Sequence, residues 1–106
     1  MLSLAPHVAA FQVAVFPLSR KLSEPSKKIE IALRRDFTTD FDTVGSIGKR
    51  YRRHDEIGTP FCVTYDFDSE TDHKVTVRNR DTMEQDRIEI EQVSAYLQDK
   101  FRAMES

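Results

Sequence analysis

The stretch of sequence that decides the fold is residues 8–16, Val-Ala-Ala-Phe-Gln-Val-Ala-Val-Phe. It is almost wholly apolar, it contains three β-branched valines, and Pro17 follows it. A short run of this kind predicts a strand that is buried on both faces, because strands of a parallel sheet lie between two layers of helices. We therefore expect residues 8–16 to form a central parallel strand.

The chain that follows this strand predicts a helix and then a second strand. Residues 18–24 are a polar loop, Ser23 can cap a helix, and Pro25 suits the first helical turn. Apolar residues then recur at helical spacing up to about Arg35. Over residues 37–41 apolar and polar residues alternate, which indicates a second strand.

A break with two glycines, Gly45-Ser46-Ile47-Gly48, precedes the next predicted helix. Ser46 is a good N-cap, and Gly58 and Pro60 are typical of a helix end, so we expect a helix over residues 47–57. The remaining apolar spacing predicts a third strand over residues 61–67, a polar hairpin loop over 68–74 and a fourth strand over 75–80. A short fifth strand over 88–90 and a last helix over 93–104 follow.

This order of elements, β-α-β-α-β-β-β-α, predicts an α/β fold. The early βαβ units imply a parallel part, and the late hairpin adds antiparallel strands, giving a mixed five-stranded sheet flanked by three helices. A length of 106 residues fits a single domain over residues 1–106. With 39% hydrophobic and 32% charged residues the chain is typical of a soluble globular domain, and no apolar run approaches the ~18 residues of a membrane span.

The distribution of charge is more informative than the net charge of −2. Basic residues cluster at residues 49–53 and again at 78–80, while acidic residues crowd residues 66–72 and 84–91. A local basic patch on a weakly acidic chain favours a specific RNA contact over general binding of nucleic acid. The alternative is a solvated amphipathic helix whose charges pair with one another, and charge alone does not choose between the two.

Evidence for catalysis or a metal site is weak. Cys62, the only cysteine, lies inside a predicted strand, where a buried structural thiol is commoner than a nucleophile. His54 is better explained as part of a helix face than as a general base. The histidines and the cysteine have no zinc-like spacing, and the acidic residues of 66–72 lack the glycine and terminal glutamate of a calcium loop. We therefore expect no structural metal, and a small independent enzyme is disfavoured.

Two long ungapped segments resemble a known family. Residues 45–68, which begin Gly-Ser-Ile-Gly-Lys-Arg-Tyr-Arg-Arg-His-Asp-Glu, and residues 75–87, Val-Thr-Val-Arg-Asn-Arg-Asp-Thr-Met-Glu-Gln-Asp-Arg, are similar to the C-terminal anticodon-binding domain of glycyl-tRNA synthetases. The similarity is to the archaeal/eukaryotic type, which many bacteria also possess. Leu4-Ala5-Pro6 and Phe16-Pro17-Leu18 resemble the start of that domain.

The resemblance implies a class II synthetase, a homodimer that joins glycine to its tRNA with ATP and magnesium in the cytoplasm. In the family the catalytic domain precedes this region and its motifs are absent from these residues, so we expect a part of a longer protein or a stand-alone relative. For this domain it implies no cofactor, no membrane, and two partners: a glycine tRNA and the catalytic domain of the parent chain.

Glycine tRNAs carry cytosine at the second and third anticodon positions, as the genetic code requires. Proteins read such loop bases at their Watson–Crick edges, where a carboxylate accepts from the cytosine amino group and an arginine donates to the acceptors. Tyr51 or Phe61 could stack on a base, although core packing is favoured for each. The candidate anticodon-binding residues are Arg50, Arg53, Asp55, Glu56, Arg78, Arg80 and Asp81.

An alternative of another class is a stand-alone adaptor. Domains that resemble this one also serve as protein-interaction modules, for example in an accessory subunit of mitochondrial DNA polymerase. The retained arginines and carboxylates favour RNA, since an adaptor has little need of them.

Overall fold

The computed structural model describes residues 11–105. The strands are β1 Val13–Pro17, β2 Thr39–Phe41, β3 Phe61–Tyr65, β4 Lys74–Asn79 and β5 Gln85–Glu89. The α-helices are α1 Ser23–Leu33, α2 Ile47–Ile57, the one-turn α3 Ser69–Asp72, and α4 Val93–Glu105, and two 3-10 turns span Arg20–Leu22 and Ile90–Gln92. Residues 8–10 of the predicted first strand, and Leu4-Ala5-Pro6, lie outside the described residues.

The five strands form one mixed sheet in the order β2-β1-β3-β4-β5. β1 lies between β2 and β3 and runs parallel to both, with Val13 opposite Thr39 on one side and Phe61 on the other. β3, β4 and β5 are antiparallel neighbours. The predicted α/β class, with a parallel part and an antiparallel hairpin, is confirmed.

The interior position of β1 follows from its composition. All five of its residues are buried, so both faces of the strand are covered, as the apolar run predicted. Side chains alternate between the two faces of a strand, and the two faces therefore have separate cores. The larger core contains Val13, Val15, Phe61 and Val63 with residues of α1 and α4, and the smaller contains Ala14, Phe16 and Cys62 with Ile47 and Tyr51 of α2.

Local chemistry moved several predicted boundaries. The polar loop at 18–24 contains a 3-10 turn, because Ser19 Oγ accepts from the Lys21 amide and Leu22 is buried. β3 ends at Tyr65, two residues before the predicted end, and the expected hairpin loop contains α3 because Asp66 and Ser69 exchange backbone and side-chain hydrogen bonds.

The predicted fifth strand is displaced toward the N-terminus. β5 ends at Glu89, and Ile90 begins a 3-10 turn whose amide donates to the carbonyl of His73. The three predicted helices are present as α1, α2 and α4, and α2 has the predicted bounds. No helix between residues 11 and 105 is long and apolar enough to cross a membrane.

Candidate nucleic-acid interface

The candidate residues are organised by helix α2, which covers the face of the sheet that carries the smaller core. The helix begins where Ser46 Oγ accepts from the Lys49 amide at 3.3 Å. It ends at Gly58, whose φ of 83° is the left-handed conformation that glycine adopts without strain. Arg50 and His54 face the sheet and are buried, so two of the helix's polar side chains are committed to the interior.

On the side of α2 that faces β2, Arg50 and Arg53 hold the loop at residues 42–45. Arg50 is only 6% exposed, and its guanidinium donates to the carbonyls of Pro17, Asp42 and Gly45. Burial lowers the pKa of Arg50, and the nearby Asp42 carboxylate counters part of that effect. Because its N–H groups donate to backbone carbonyls, Arg50 holds this loop in position.

Arg53 is the more accessible arginine on this side. Its Nη1 donates to Asp42 Oδ2 and its Nη2 donates to the Val44 carbonyl at 3.3 Å, yet 41% of the side chain remains exposed. Asp42 itself is buried, and its other oxygen accepts from the Val44 amide at 3.0 Å. An incoming anion or base edge could therefore reach part of the Arg53 guanidinium.

On the side of α2 that faces β4, Asp55 and Arg78 form a partly buried ion pair that anchors the helix to the sheet. Arg78 Nη1 and Nη2 donate to the two Asp55 carboxylate oxygens at 3.1 and 3.4 Å. The guanidinium carbon of Arg78 lies 4.9 Å from the centre of the Tyr51 ring, a cation–π distance, and Nη2 lies 3.0 Å from Met83 Sδ. These contacts join α2, β4 and the β4–β5 turn.

Arg80 and Asp81 extend this anchor to the surface. Arg80 Nε donates to the backbone carbonyl of Asp55 at 2.9 Å, and its Nη1 lies 3.2 Å from Asp81 Oδ1. The two side chains are 34% and 60% exposed. An arginine and a carboxylate therefore lie side by side just beyond the end of β4, open to solvent.

The fold thus divides six of the seven predicted residues into two groups and leaves Glu56 between them. An α-helix turns about 100° per residue, so Arg53 and Asp55 point to opposite sides of α2. Arg50 and Arg53 belong to the β2 side, and Glu56 is exposed on the outer ridge between the groups. The group on the β4 side, which the fold brings together in one network, is Asp55, Arg78, Arg80 and Asp81.

Several contributors were not predicted from the sequence. Asp42 accepts from Arg53 in the group on the β2 side, and Met83 contacts Arg78 in the group on the β4 side. Asp42 could have been predicted from its position directly after β2. Tyr51 is partly buried, packs edge-on against Phe16 at 5.2 Å, and its hydroxyl hydrogen-bonds Thr64. Phe61 is 1% exposed, so its preferred assignment to the core is confirmed.

The residues considered for catalysis are buried. Cys62 is 2% exposed, and burial raises the pKa of its thiol to about 12, so the predicted structural thiol is confirmed. His54 is fully buried on the inner face of α2, with Nδ1 2.8 Å from Thr59 Oγ1. Its Nε2 faces Asp40 and Asp42, and the three residues could supply ligand atoms to a metal ion.

Comparison with known proteins identifies the family. Residues 12–100 match the family model of the anticodon binding domain. A glycine–tRNA ligase of Caldanaerobacter subterraneus subsp. tengcongensis is 62% identical over 102 residues, which is 96% of this chain and 22% of that protein. A glycine–tRNA ligase of Lachnoclostridium phytofermentans is 58% identical over 101 residues, which is 95% of this chain and 22% of that protein. The chain spans about a fifth of the length of these relatives.

Two solved structures share the fold. The RNA binding domain of threonyl-tRNA synthetase from Cryptosporidium parvum Iowa II superposes with a TM-score of 0.81 at 28% identity, over 96% of this chain and 25% of that one. Prolyl-tRNA synthetase from Cryptosporidium parvum superposes with a TM-score of 0.87 at 20% identity, over 97% and 23%. Because the family model covers most of the chain and the folds agree, the chain belongs to the anticodon binding domain family.

Proposed function

We propose that this chain is the anticodon-recognition domain of a glycine–tRNA ligase. The observation that carries the proposal is the identity of 62% and 58% with two bacterial glycine–tRNA ligases over nearly the whole chain. The RNA partner is then a glycine tRNA, whose anticodon loop presents two neighbouring cytosines. The whole protein would attach glycine to that tRNA.

The proposed reading element is the exposed pair of Arg80 and Asp81. A cytosine edge offers one amino donor beside two acceptors, which an adjacent carboxylate and guanidinium can satisfy together. The pair is 34% and 60% exposed, and an exposed ion pair contributes only about 0–1 kcal/mol to stability. A base can therefore take over these hydrogen bonds at small energetic cost to the folded domain.

The other candidates divide into direct and positioning roles in this proposal. Arg53 and Glu56, which keep exposed polar surface on α2, contact the RNA directly. Arg50, Asp55 and Arg78 act through their neighbours, because their charged groups are already engaged within the domain. Asp55 links Arg78 to the reading pair, since its carboxylate accepts from Arg78 and its backbone carbonyl accepts from Arg80.

The remaining proposals concern the parent protein. By resemblance, it is a dimer of the archaeal/eukaryotic type, it works in the cytoplasm, and its catalytic domain binds ATP and magnesium. This domain supplies the anticodon contacts and needs no nucleotide of its own. Its second partner is the catalytic domain of the same chain.

Binding to anticodon stem-loops tests the proposal. We expect tighter binding to a glycine stem-loop than to one in which uridine replaces both cytosines. Arg80→Ala should reduce this preference by about 1–3 kcal/mol, roughly 5- to 150-fold. The control is Arg35→Ala, which removes an exposed arginine just after α1, on the opposite face of the sheet.

Two results would contradict this proposal at different levels. If Arg80→Ala keeps the full preference for cytosine, Arg80 does not read the base. If the unaltered domain shows no preference between the two stem-loops at any salt concentration, anticodon recognition itself is wrong. The adaptor alternative predicts this second outcome, so one assay decides between the two functions.

A further inference from the structure

A buried histidine faces two carboxylates on the β2 side of helix α2. His54 Nε2 lies 3.1 Å from Asp40 Oδ2 and 3.5 Å from Asp42 Oδ2, and the ligand atoms of the three residues all lie within 4.8 Å of one another. His54 is completely buried, yet its Nε2 has no well-directed hydrogen-bond partner in the described part of the chain. Buried polar atoms are seldom left in this state, so this nitrogen requires an explanation.

We propose that Asp40, Asp42 and His54 bind a zinc ion that links edge strand β2 to helix α2. Zinc takes imidazole nitrogen and carboxylate oxygen at about 2.0–2.2 Å, usually in tetrahedral geometry. Ligand atoms at the corners of such a tetrahedron lie roughly 3.4 Å apart, as those bond lengths imply. The two measured distances from Nε2, 3.1 and 3.5 Å, are on either side of this value.

The hydrogen bond on the other side of the ring fits a ligand role for His54. Nδ1 lies 2.8 Å from the hydroxyl oxygen of Thr59, which can accept a hydrogen bond from the Nδ1–H and so leave the Nε2 lone pair free to bind metal. A cation bound between Nε2 and the two carboxylates would offset the negative charge of Asp40 and Asp42.

The charges and exposure of the cluster also fit a dication. Arg53 supplies one positive charge to Asp42, and Arg50 donates to the Asp42 backbone carbonyl, so two carboxylates face one directly paired guanidinium. The Asp40 side chain is 34% exposed, which leaves one side open for an entering ion and for water as a fourth ligand. The imidazole nitrogen favours zinc over magnesium or calcium, which prefer oxygen ligands.

The sequence-based expectation of no structural metal rested on the spacing of histidines and cysteine. The proposed site uses one histidine and two aspartates, and these come together only because β2 and α2 pack side by side. Its stabilising effect would fall on β2, which has only three residues and pairs with one neighbour. A crosslink to α2 would therefore secure the shortest strand of the parallel part.

Zinc titration of the untagged chain by calorimetry, with thermal melts in parallel, tests the proposal. We expect one zinc ion per chain and a higher melting temperature when zinc is present, because a ligand that binds the folded state stabilises it. Asp40→Asn should weaken zinc binding at least tenfold and abolish most of the thermal shift. The matched control, Asp68→Asn, removes the same charge from an exposed aspartate outside the cluster and should change zinc affinity less than twofold.

Asp40→Asn keeps the test decisive because this partly exposed side chain can be changed without opening the core. Circular dichroism verifies that each variant is folded, and cobalt absorption of the unaltered chain reports whether the ion is held tetrahedrally. Two outcomes overturn the proposal. One is the absence of zinc binding to the folded chain, and the other is equal zinc affinity in Asp40→Asn and Asp68→Asn, which would place the ion elsewhere on the surface.

Discussion

Asp55 is the residue whose replacement best tests how the candidate interface is held together. Its carboxylate accepts from both terminal nitrogens of Arg78, at 3.1 and 3.4 Å, and joins α2 to β4. The Arg78 side chain is only 10% exposed, so it depends on this carboxylate more than on water. Asp55→Asn keeps the size of the side chain and removes its charge, leaving one neutral acceptor for a buried guanidinium.

The expected loss of stability is about 2 kcal/mol. Hydrogen bonds to charged groups contribute about 1.5–3 kcal/mol, and breaking a fully buried ion pair costs roughly 3–5 kcal/mol. The lower range applies because Asp55 is 35% exposed and because the Tyr51 ring and Met83 sulfur stay against Arg78. For a domain of about this size, 2 kcal/mol corresponds to a melting temperature roughly 8–16 °C lower.

Urea and thermal unfolding followed by circular dichroism measure this effect. Asp81→Asn is the matched control, since its carboxylate is 60% exposed and its removal should change the unfolding free energy by less than about 0.5 kcal/mol. The double variant Asp55→Asn with Arg78→Met should lose less than the sum of the two single losses. An Asp55→Asn protein within about 0.5 kcal/mol of the unaltered chain would refute the assignment of this pair as an anchor.

Three further predictions concern groups outside the reading pair. Burial acts to raise the pKa of Glu30, but the hydrogen bonds that its carboxylate accepts outweigh burial and lower the pKa from 4.5 to about 2. Glu30→Gln should therefore lower the unfolding free energy by on the order of 3 kcal/mol at pH 7. In melts at acid pH the difference between the two proteins should shrink as pH falls from about 4.5 towards 2, and a difference that stays constant with pH would contradict this role. Cys62, buried and with its pKa raised to about 12, should react with iodoacetamide at pH 8 only after unfolding, so equal labelling of native and unfolded chains would count against it. Gly58→Ala should lower stability by about 1 kcal/mol, because the φ of Gly58 is 83°. Gly48→Ala should raise stability slightly, because Gly48 lies inside α2 and an added methyl group meets nothing within 4 Å. Similar unfolding midpoints for the two variants would contradict this reasoning.

Local signals in the sequence were sufficient for most of the fold. Ser46 and Gly58 bound α2 because a serine cap and a left-handed glycine act through atoms within a few residues of themselves. The apolar run before Pro17 indicated an interior strand for a similar reason, since burial on both faces excludes polar residues. The 3-10 turns and α3 were missed because each depends on one or two specific hydrogen bonds, which leave no periodic pattern.

The candidate interface was predicted less completely. The seven residues were chosen by charge and by resemblance. These criteria do not show which charged side chains already form hydrogen bonds or ion pairs inside the domain. Arg50 and Arg53 are three residues apart in the chain, yet one is buried against backbone carbonyls and the other is 41% exposed. Arg80 and Asp55 are far apart in the chain, yet a hydrogen bond of 2.9 Å joins them.

By itself, then, the sequence determined the class of the fold, the bounds of α2, the burial of Cys62 and the resemblance that names the family, since each follows from composition or from neighbours along the chain. Only the tertiary structure decided how the charged residues divide between the two sides of α2, and that His54 meets Asp40 and Asp42. These contacts join residues that are distant in sequence and are created when α2 packs onto the sheet, which no local pattern of residues encodes.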